Sequence, residues 1–298
     1  RAAARRPRDQ AAAVIIATTR ADLASARSAL AGRVAVVMTM GALHEGHATL
    51  MDVAGTHADH VIVTIFVNPK QFGANEDLDR YPRTYDADVE VCRAHGVAVV
   101  FAPGVDDVYP ADEQVPEVPA GDLATVLEGA HRPGHFDGVV TVVSRLLDLT
   151  TPDVAVFGEK DAQQLAVIRR MVAQQDRSVE IVGVATVRES DGLAMSSRNR
   201  YLSEAERMTA LAIPRALQAG AERGADGADT VLATARAALA AEPGIEVDYV
   251  ELVDAETWRA PDNRTEFGKI LVAARVGGTR LIDNMDVRLG THVGLKEN

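Results

Sequence analysis

The sequence predicts an α/β protein: a parallel sheet covered by helices, followed by a smaller α+β domain. Three observations carry this. Short, mostly apolar runs rich in β-branched residues recur at Val34–Val37, Val61–Val67, Val97–Phe101, Val154–Phe157 and Val179–Val184, as suits strands buried on both faces. Helix-like segments separate them, and such alternation implies a parallel sheet with helices on both sides. After about Val187 the alternation stops, and two helix-like segments precede three strand-like runs.

The elements follow in order. Residues Arg1 to Ala17 are rich in Arg and Ala and read as a short disordered extension leading into a first strand near Val14–Ala17. Thr19–Ala31 is a helix, with Leu23, Ala26 and Leu30 at helical spacing. Further helices are expected over Ala48–Ala58, Asp86–His95, Asp137–Leu149 and Asp161–Gln175. The second domain begins with helices Ser203–Arg223 and Asp229–Ala241, joined by the turn Gly224–Ala228. Strands Val247–Leu252, Ile270–Arg275 and Arg280–Asp283 follow, and Gly277-Gly278-Thr279 joins the last two as a hairpin. The domains are expected to span 1–186 and 187–298.

Composition narrows the function. With 31 basic and 43 acidic residues the net charge is −12, which argues against nucleic-acid or anionic-membrane partners. A nucleotide site needs only a local patch of positive charge and stays open. The single cysteine, Cys92, rules out an internal disulfide and fits a reducing, cytoplasmic setting. The aliphatic run Val61–Val67 is far shorter than the roughly 20 residues of a membrane span.

The most informative stretch is Met40-Gly41-Ala42-Leu43-His44-Glu45-Gly46-His47, which lies between a predicted strand and a predicted helix. A helix N-terminus offers unpaired N–H groups and partial positive charge, so it attracts phosphate. Gly41 and Gly46 permit close backbone approach, and His44 and His47, three residues apart, share a face. Two imidazoles beside a phosphate can stabilise charge that develops during phosphoryl or nucleotidyl transfer.

Other segments point the same way, although each alone reads equally as an ordinary loop or helix start. Phe157-Gly158-Glu159-Lys160-Asp161-Ala162-Gln163-Gln164 follows a strand. It offers Lys160 to phosphate, Asp161 to ribose hydroxyls, and Gln164 on the face of Lys160. Met195-Ser196-Ser197-Arg198-Asn199 offers two hydroxyls and a guanidinium near the domain junction. Phe66-Val67-Asn68-Pro69-Lys70-Gln71 ends the longest strand with Asn68 and Gln71 at the expected ligand edge, and Arg132 lies in the loop Arg132-Pro133-Gly134.

Taken together, the HxGH turn, Gly158-Glu159-Lys160-Asp161 with its glutamines, Met195–Asn199, the segment around Asn68 and Gln71, and Asp77–Arg83 closely resemble the pantothenate synthetases. These are nucleotidyltransferases that carry HxGH and a KMSKS-like loop. The resemblance runs from about Val14 to the last strand. It implies a Rossmann-like domain and a smaller α+β lid domain. It also implies ATP-dependent joining of pantoate to β-alanine through pantoyl adenylate, with release of pyrophosphate and AMP.

On these motifs His47 assists pyrophosphate departure, and His44 holds phosphate oxygens. Lys160 binds the β and γ phosphates, and Ser196, Ser197 and Arg198 close over them. Met40, Gly41 and Gly46 belong to the ATP site. Gly158 and Asp161 hold the ribose, and the backbones of Val187 and Met195 the adenine. Gln71, Gln164, Met40 and Asn68 bind pantoate or β-alanine, and Arg132 orders a lid. Mg²⁺ is expected on phosphates and water, with Asp88 as the one candidate protein ligand. A homodimer is expected too.

Three departures from the pattern stand out: Met38 where proline is usual, Ala162 where an aromatic is common, and Ala87 and Val91 interrupting the acidic and amide residues usual near Asp88. Met38 and Ala162 raise one alternative, an impaired nucleotide-binding homologue, and another HxGH nucleotidyltransferase is the second.

Overall fold

The structure is a computed structural model that describes residues 13–74 and 76–290. Of the extension expected over Arg1 to Ala17, residues 1–12 lie outside the described residues. The chain forms two compact units, and neither is a single stretch of sequence. One comprises the chain up to Ala120, Gly134–Gly158 and Leu165–Val184, and the other Gly121–Pro133, Glu159–Gln164 and the chain from Ala185 on.

The first unit is built on six strands: β1 (Ile15–Ala17), β2 (Val34–Thr39), β3 (His60–Ile65), β4 (Val99–Phe101), β5 (Val154–Gly158) and β6 (Glu180–Val184). All neighbours pair in parallel, in the order β1-β4-β3-β2-β5-β6. Val34, Ala35, Val36 and Val37 are all fully buried, so both faces of β2 are covered. One face packs Ala35, Val37, Val61, Val63, Val154 and Val156 against Leu43, Met51 and Ala54.

Helices connect these strands: α1 (Arg20–Ser28), α2 (Glu45–His57), α3 (Tyr85–Ala94), the short α4 (Val105–Val108) and α5 (Glu128–His131), α6 (His135–Thr150) and α7 (Ala162–Gln174). α5 belongs to the second unit, which also takes the first turn of α7. Thr19 caps α1 in a capping box with Asp22, so the expected helix begins one residue later. α2 begins at Glu45, earlier than its apolar period suggests, because His44 itself is the N-cap.

Chain order fixes where a ligand can sit. From β2 the chain steps outward to β3 and β4, then returns to β5 on the other side of β2. This reversal leaves a crevice beyond the carboxyl ends of β2 and β5, the usual ligand position in open α/β sheets. The HxGH turn follows β2, and Glu159-Lys160-Asp161 follows β5.

The second unit adds α8 (Glu204–Ala210), α9 (Ala212–Ala221) and α10 (Ala228–Ala240), then an antiparallel sheet β7 (Ile245–Asp254), β8 (Phe267–Val276) and β9 (Thr279–Arg288). The single helix expected over 203–223 is broken at Leu211. Pro214 has no N–H for the Ala210 carbonyl, and its ring clashes there, so the helix cannot run through. The predicted hairpin is present, with Val276 opposite Thr279 across Gly277-Gly278. Ile213, Leu217, Val231, Ala235 and Leu239 pack on Val250, Leu252, Ile270, Val272 and Ala274. Ala162 packs with Tyr249, Val253, Leu271 and Ala273, so this small residue is enclosed by the sheet.

Candidate active site

The HxGH turn is held from beneath. Asp88 of α3 is 2% exposed, and its carboxylate accepts the N–H groups of Ala42 at 3.0 Å and Leu43 at 2.8 Å. The Thr84 hydroxyl donates to it at 3.0 Å. Gly41 and Ala42 both have positive φ, 83° and 51°, and a Cβ on Gly41 would lie 3.0 Å from the Asp88 carboxylate. Glycine is therefore required there on two counts. Among the described residues no three His, Cys, Asp or Glu side chains gather to hold a metal. Asp88 thus holds the turn through its carboxylate.

The two histidines cap α2 reciprocally. His44 Nδ1 accepts the Gly46 N–H at 3.1 Å, and His47 Nδ1 accepts the His44 N–H at 3.3 Å. Their ring centroids are 4.1 Å apart. A backbone N–H can only donate, so each Nδ1 presents a lone pair. In the neutral rings the proton therefore sits on Nε2, which makes each Nε2 a hydrogen-bond donor.

Met38 lies in register with Thr64 near the end of β2. Without proline, the strand end is fixed by Thr39, whose hydroxyl donates to the Thr64 carbonyl at 2.7 Å and accepts the Gly41 N–H at 3.2 Å.

Beyond β3, Asn68 is 1% exposed. Its amide donates to Gln71 Oε1 and the Gly138 carbonyl, both at 3.1 Å. Its carbonyl accepts the Lys70 N–H at 3.2 Å and the Tyr109 hydroxyl at 3.0 Å. All four hydrogen-bonding positions of the amide are occupied, so Asn68 orients Gln71. Gln71 Nε2 in turn lies 3.3 Å from Met40 Sδ, which brings together two residues expected to bind pantoate. Burial keeps the Tyr109 phenol neutral by raising its pKa, against the lowering effect of Arg145. α6 crosses this turn closely, and a Cβ on Gly138 would lie 2.2 Å from the Lys70 carbonyl oxygen.

In the second unit Lys160 is part of a 3-10 turn, Glu159–Asp161, ahead of α7. Its ammonium lies 3.8 Å from the Asp161 carboxylate. Gln163 points inward, accepting the Glu128 N–H at 3.0 Å and donating to the carbonyls of Leu123 and Val126 at 2.7 and 2.8 Å. It thereby holds the segment that carries Arg132, whereas Gln164 stays half-buried. A Cβ on Gly158, at the end of β5, would meet open space. Packing does not demand glycine there, and the gap suits the close approach of a ligand.

The loop after β6 folds on itself. The Met195 N–H donates to the Val187 carbonyl at 2.9 Å, and Arg188 pairs with Ala194 in an antiparallel bridge. Ser196 caps the 3-10 turn Ser197–Tyr201 by accepting the Arg198 N–H at 3.3 Å. Asn199 donates to Glu189 at 2.7 Å and to the Ala194 carbonyl at 3.0 Å.

Several supporting residues carried no signal in the sequence. Glu128 accepts Arg280 through both guanidinium ends at 2.7 Å and Tyr249 at 2.9 Å. Burial raises the Glu128 pKa, but the hydrogen bonds and charge of Arg280 outweigh it and hold the carboxyl below its ordinary value. Asp248, beside a β-bulge, accepts Arg280 Nε at 2.6 Å. Asn284 reaches the carbonyls of Glu159 and Lys160. None of these stands near the HxGH or Ser-Ser-Arg motifs in sequence, so spacing alone cannot reveal them.

Known proteins match this arrangement over most of its length. The Pantoate-beta-alanine ligase family profile matches residues 14–286. The pantothenate synthetase of Salinispora arenicola is 57% identical over 277 residues, 92% of this chain and 98% of its own. Pantothenate synthetase 4 of Frankia alni is 58% identical over 257 residues, 86% and 83% of the two chains. The crystal structure of pantothenate synthetase from Thermus thermophilus superposes with a TM-score of 0.86 at 43% identity, covering 91% of this chain and 99% of that one. Pantoate-beta-alanine ligase from Francisella tularensis, complexed with beta-gamma ATP and beta-alanine, gives 0.77 at 33% identity, covering 92% and 97%. With its HxGH turn at the sheet's switch point and similarity along nearly its whole length, this chain belongs to the pantoate–β-alanine ligase family.

Proposed function

We propose that this chain condenses pantoate with β-alanine at the expense of ATP. In the first step the pantoate carboxylate attacks the α-phosphorus, and the bond to the β,γ-pyrophosphate breaks. In the second step the β-alanine amine attacks the acyl carbon of pantoyl adenylate, and AMP leaves. The observation that carries this reading is the paired histidine cap. Both Nδ1 atoms accept backbone N–H groups, so both Nε2 atoms are donors at a helix N-terminus that favours anions.

The roles follow from charge. Pantoate and the triphosphate repel, so their encounter needs donors and cations. His47 donates to the departing pyrophosphate, and His44 to phosphate oxygens beside it. Lys160, Ser196, Ser197 and Arg198 neutralise the triphosphate, with Met40, Gly41 and Gly46 contributing from the turn. Gly158 and Asp161 take the ribose, Val187 and Met195 the adenine. Gln71 and Gln164 hold pantoate, Asn68 and Met40 support Gln71, and Arg132 covers the substrates. Positioning of this kind lowers the barrier without a covalent enzyme intermediate.

Mg²⁺ accompanies ATP on its phosphate oxygens and water. The described residues form no cage for it, and no step is assigned to it. The enzyme works in the cytoplasm as a homodimer on small molecules, without nucleic acid or membrane. A reducing compartment suits its lone Cys92, and no described helix is long and apolar enough to cross a membrane.

ATP–pyrophosphate exchange tests the reading. It should require pantoate and proceed without β-alanine. No exchange from folded protein with saturating pantoate would reject the adenylate route, and exchange triggered equally by unrelated acids would reject pantoate as the substrate.

A further inference from the structure

Asp283 and Asn284 are adjacent on β9 and only 3% and 5% exposed. The Asn284 amide donates two hydrogen bonds of 2.9 Å, one to the Glu159 carbonyl and one to that of Lys160. Its own carbonyl lies 3.4 Å from the Lys269 ammonium, which fixes which end of the amide points at the turn. The Asp283 carboxylate accepts Arg188 at 2.7 and 3.0 Å. Arg188 also donates to the carbonyls of Gly192 at 3.1 Å and Asn284 at 3.3 Å. Successive residues of a strand point to opposite sides, so one dipeptide can serve two segments. Asn284 holds the turn that carries Lys160, and Asp283 holds the base of the loop that leads to Ser196–Arg198.

We propose that Asp283-Asn284 is the positioning element for the phosphate-binding segments of the second unit, with Asn284 setting the direction in which Lys160 leaves its turn. This rests on the reading that Lys160 and Ser196–Arg198 bind the triphosphate. The two N–H groups of a planar amide diverge at a fixed angle, so meeting two successive carbonyls fixes the orientation of the turn as well as its position. Without Asn284 both carbonyls lose the N–H groups of its amide and the turn relaxes. Asp161, already 3.8 Å from the Lys160 ammonium, competes with phosphate for it more strongly once the turn is free to shift. ATP binding is weakened, while pantoate, which does not depend on the Lys160 ammonium, is held as before.

The test is calorimetric binding of a non-hydrolysable ATP analogue to the full chain, wild type against Asn284→Ala, with pantoate binding measured alongside. The expected result is about tenfold weaker ATP binding, equivalent to about 1.4 kcal/mol, with pantoate affinity within about twofold. Asn284→Ser, which keeps one donor, should fall between the two, and it carries the test alone if the alanine variant does not fold. Unchanged ATP affinity overturns the proposal. So does equal weakening of ATP and pantoate, which would mean general loosening of the fold. Wild-type exchange is read separately: its absence with ATP binding intact rejects the proposed reaction, while the calorimetric comparison still decides the role of Asn284.

Discussion

The Asp88 carboxylate accepts the Leu43 N–H at 2.8 Å, so a side chain on α3 holds the backbone immediately before His44. The second oxygen does the same for Ala42, whose positive φ is unfavourable for a residue with a Cβ. The carboxylate is thus what stabilises the turn in a strained shape.

Asp88→Asn should therefore cost about 2–3 kcal/mol, because an amide must turn its NH₂ toward one of two backbone donors and leave that donor buried and unsatisfied. Turnover should fall by at least about tenfold, since small misplacements of catalytic groups are expensive. Urea unfolding and steady-state rates measure the two effects. Wild-type stability in the variant would mean that the turn holds itself.

The histidine cap makes a spectroscopic prediction. Nitrogen-15 spectra at neutral pH should show His44 and His47 as Nε2–H tautomers, because each Nδ1 accepts a backbone N–H. A protonated Nδ1 on either neutral ring would contradict the cap and remove that Nε2 as a phosphate donor.

Loss of either charge-stabilising group should be felt in the chemistry. His47→Ala and Lys160→Ala should each lower turnover by roughly 10²–10³-fold, the range seen when a preorganised donor is removed. Thermal melts check that each variant is folded. A near-normal rate in either case takes that residue out of the reaction.

What the sequence made legible has a physical pattern. Strands β2 to β5 stood out because burial on both faces leaves unbroken apolar runs, and the hairpin at Gly277-Gly278 because its turn needs glycine. The chemistry-bearing motifs were visible because each follows a strand end. Roles that depend on contacts distant in sequence were hidden. The backbone N–H groups that Asp88 faces leave no sign in the sequence. Nothing in the sequence shows that Tyr109 and Gly138 bond the Asn68 amide. The break at Leu211 was legible from Pro214 and is absent from the predicted helix only because apolar spacing continues across it.

Close packing at Gly138 offers a test of how Gln71 is placed. Gly138→Ala puts a methyl 2.2 Å from the Lys70 carbonyl, so α6 and the Asn68–Gln71 turn must separate. Overpacking of this kind costs typically about 1–3 kcal/mol. The Asn68 bond to the Gly138 carbonyl should stretch with it and release Gln71. The pantoate KM should rise several-fold with the ATP KM little changed, and equal rises in both would separate Gly138 from the placement of Gln71.

The last prediction concerns Glu128 and Arg280, a buried pair. Glu128→Gln should cost about 1–3 kcal/mol at pH 7, because Arg280 loses its two charge-assisted bonds to Glu128 and keeps Asp248 as its remaining carboxylate partner. The pH dependence has a definite sign. Arg280 holds the Glu128 carboxyl below its ordinary value of 4.5. The folded state therefore binds this proton less readily than the unfolded chain does. The stabilisation is full above pH 4.5 and is lost as pH falls through the lower, folded-state value. Urea unfolding of wild type and Glu128→Gln should thus differ most near neutrality, with the difference shrinking in acid as the wild-type carboxyl becomes protonated. A difference that stayed constant from neutrality into the acid range would mean that shape and hydrogen bonding at this position, and not its charge, hold the segment that carries Arg132.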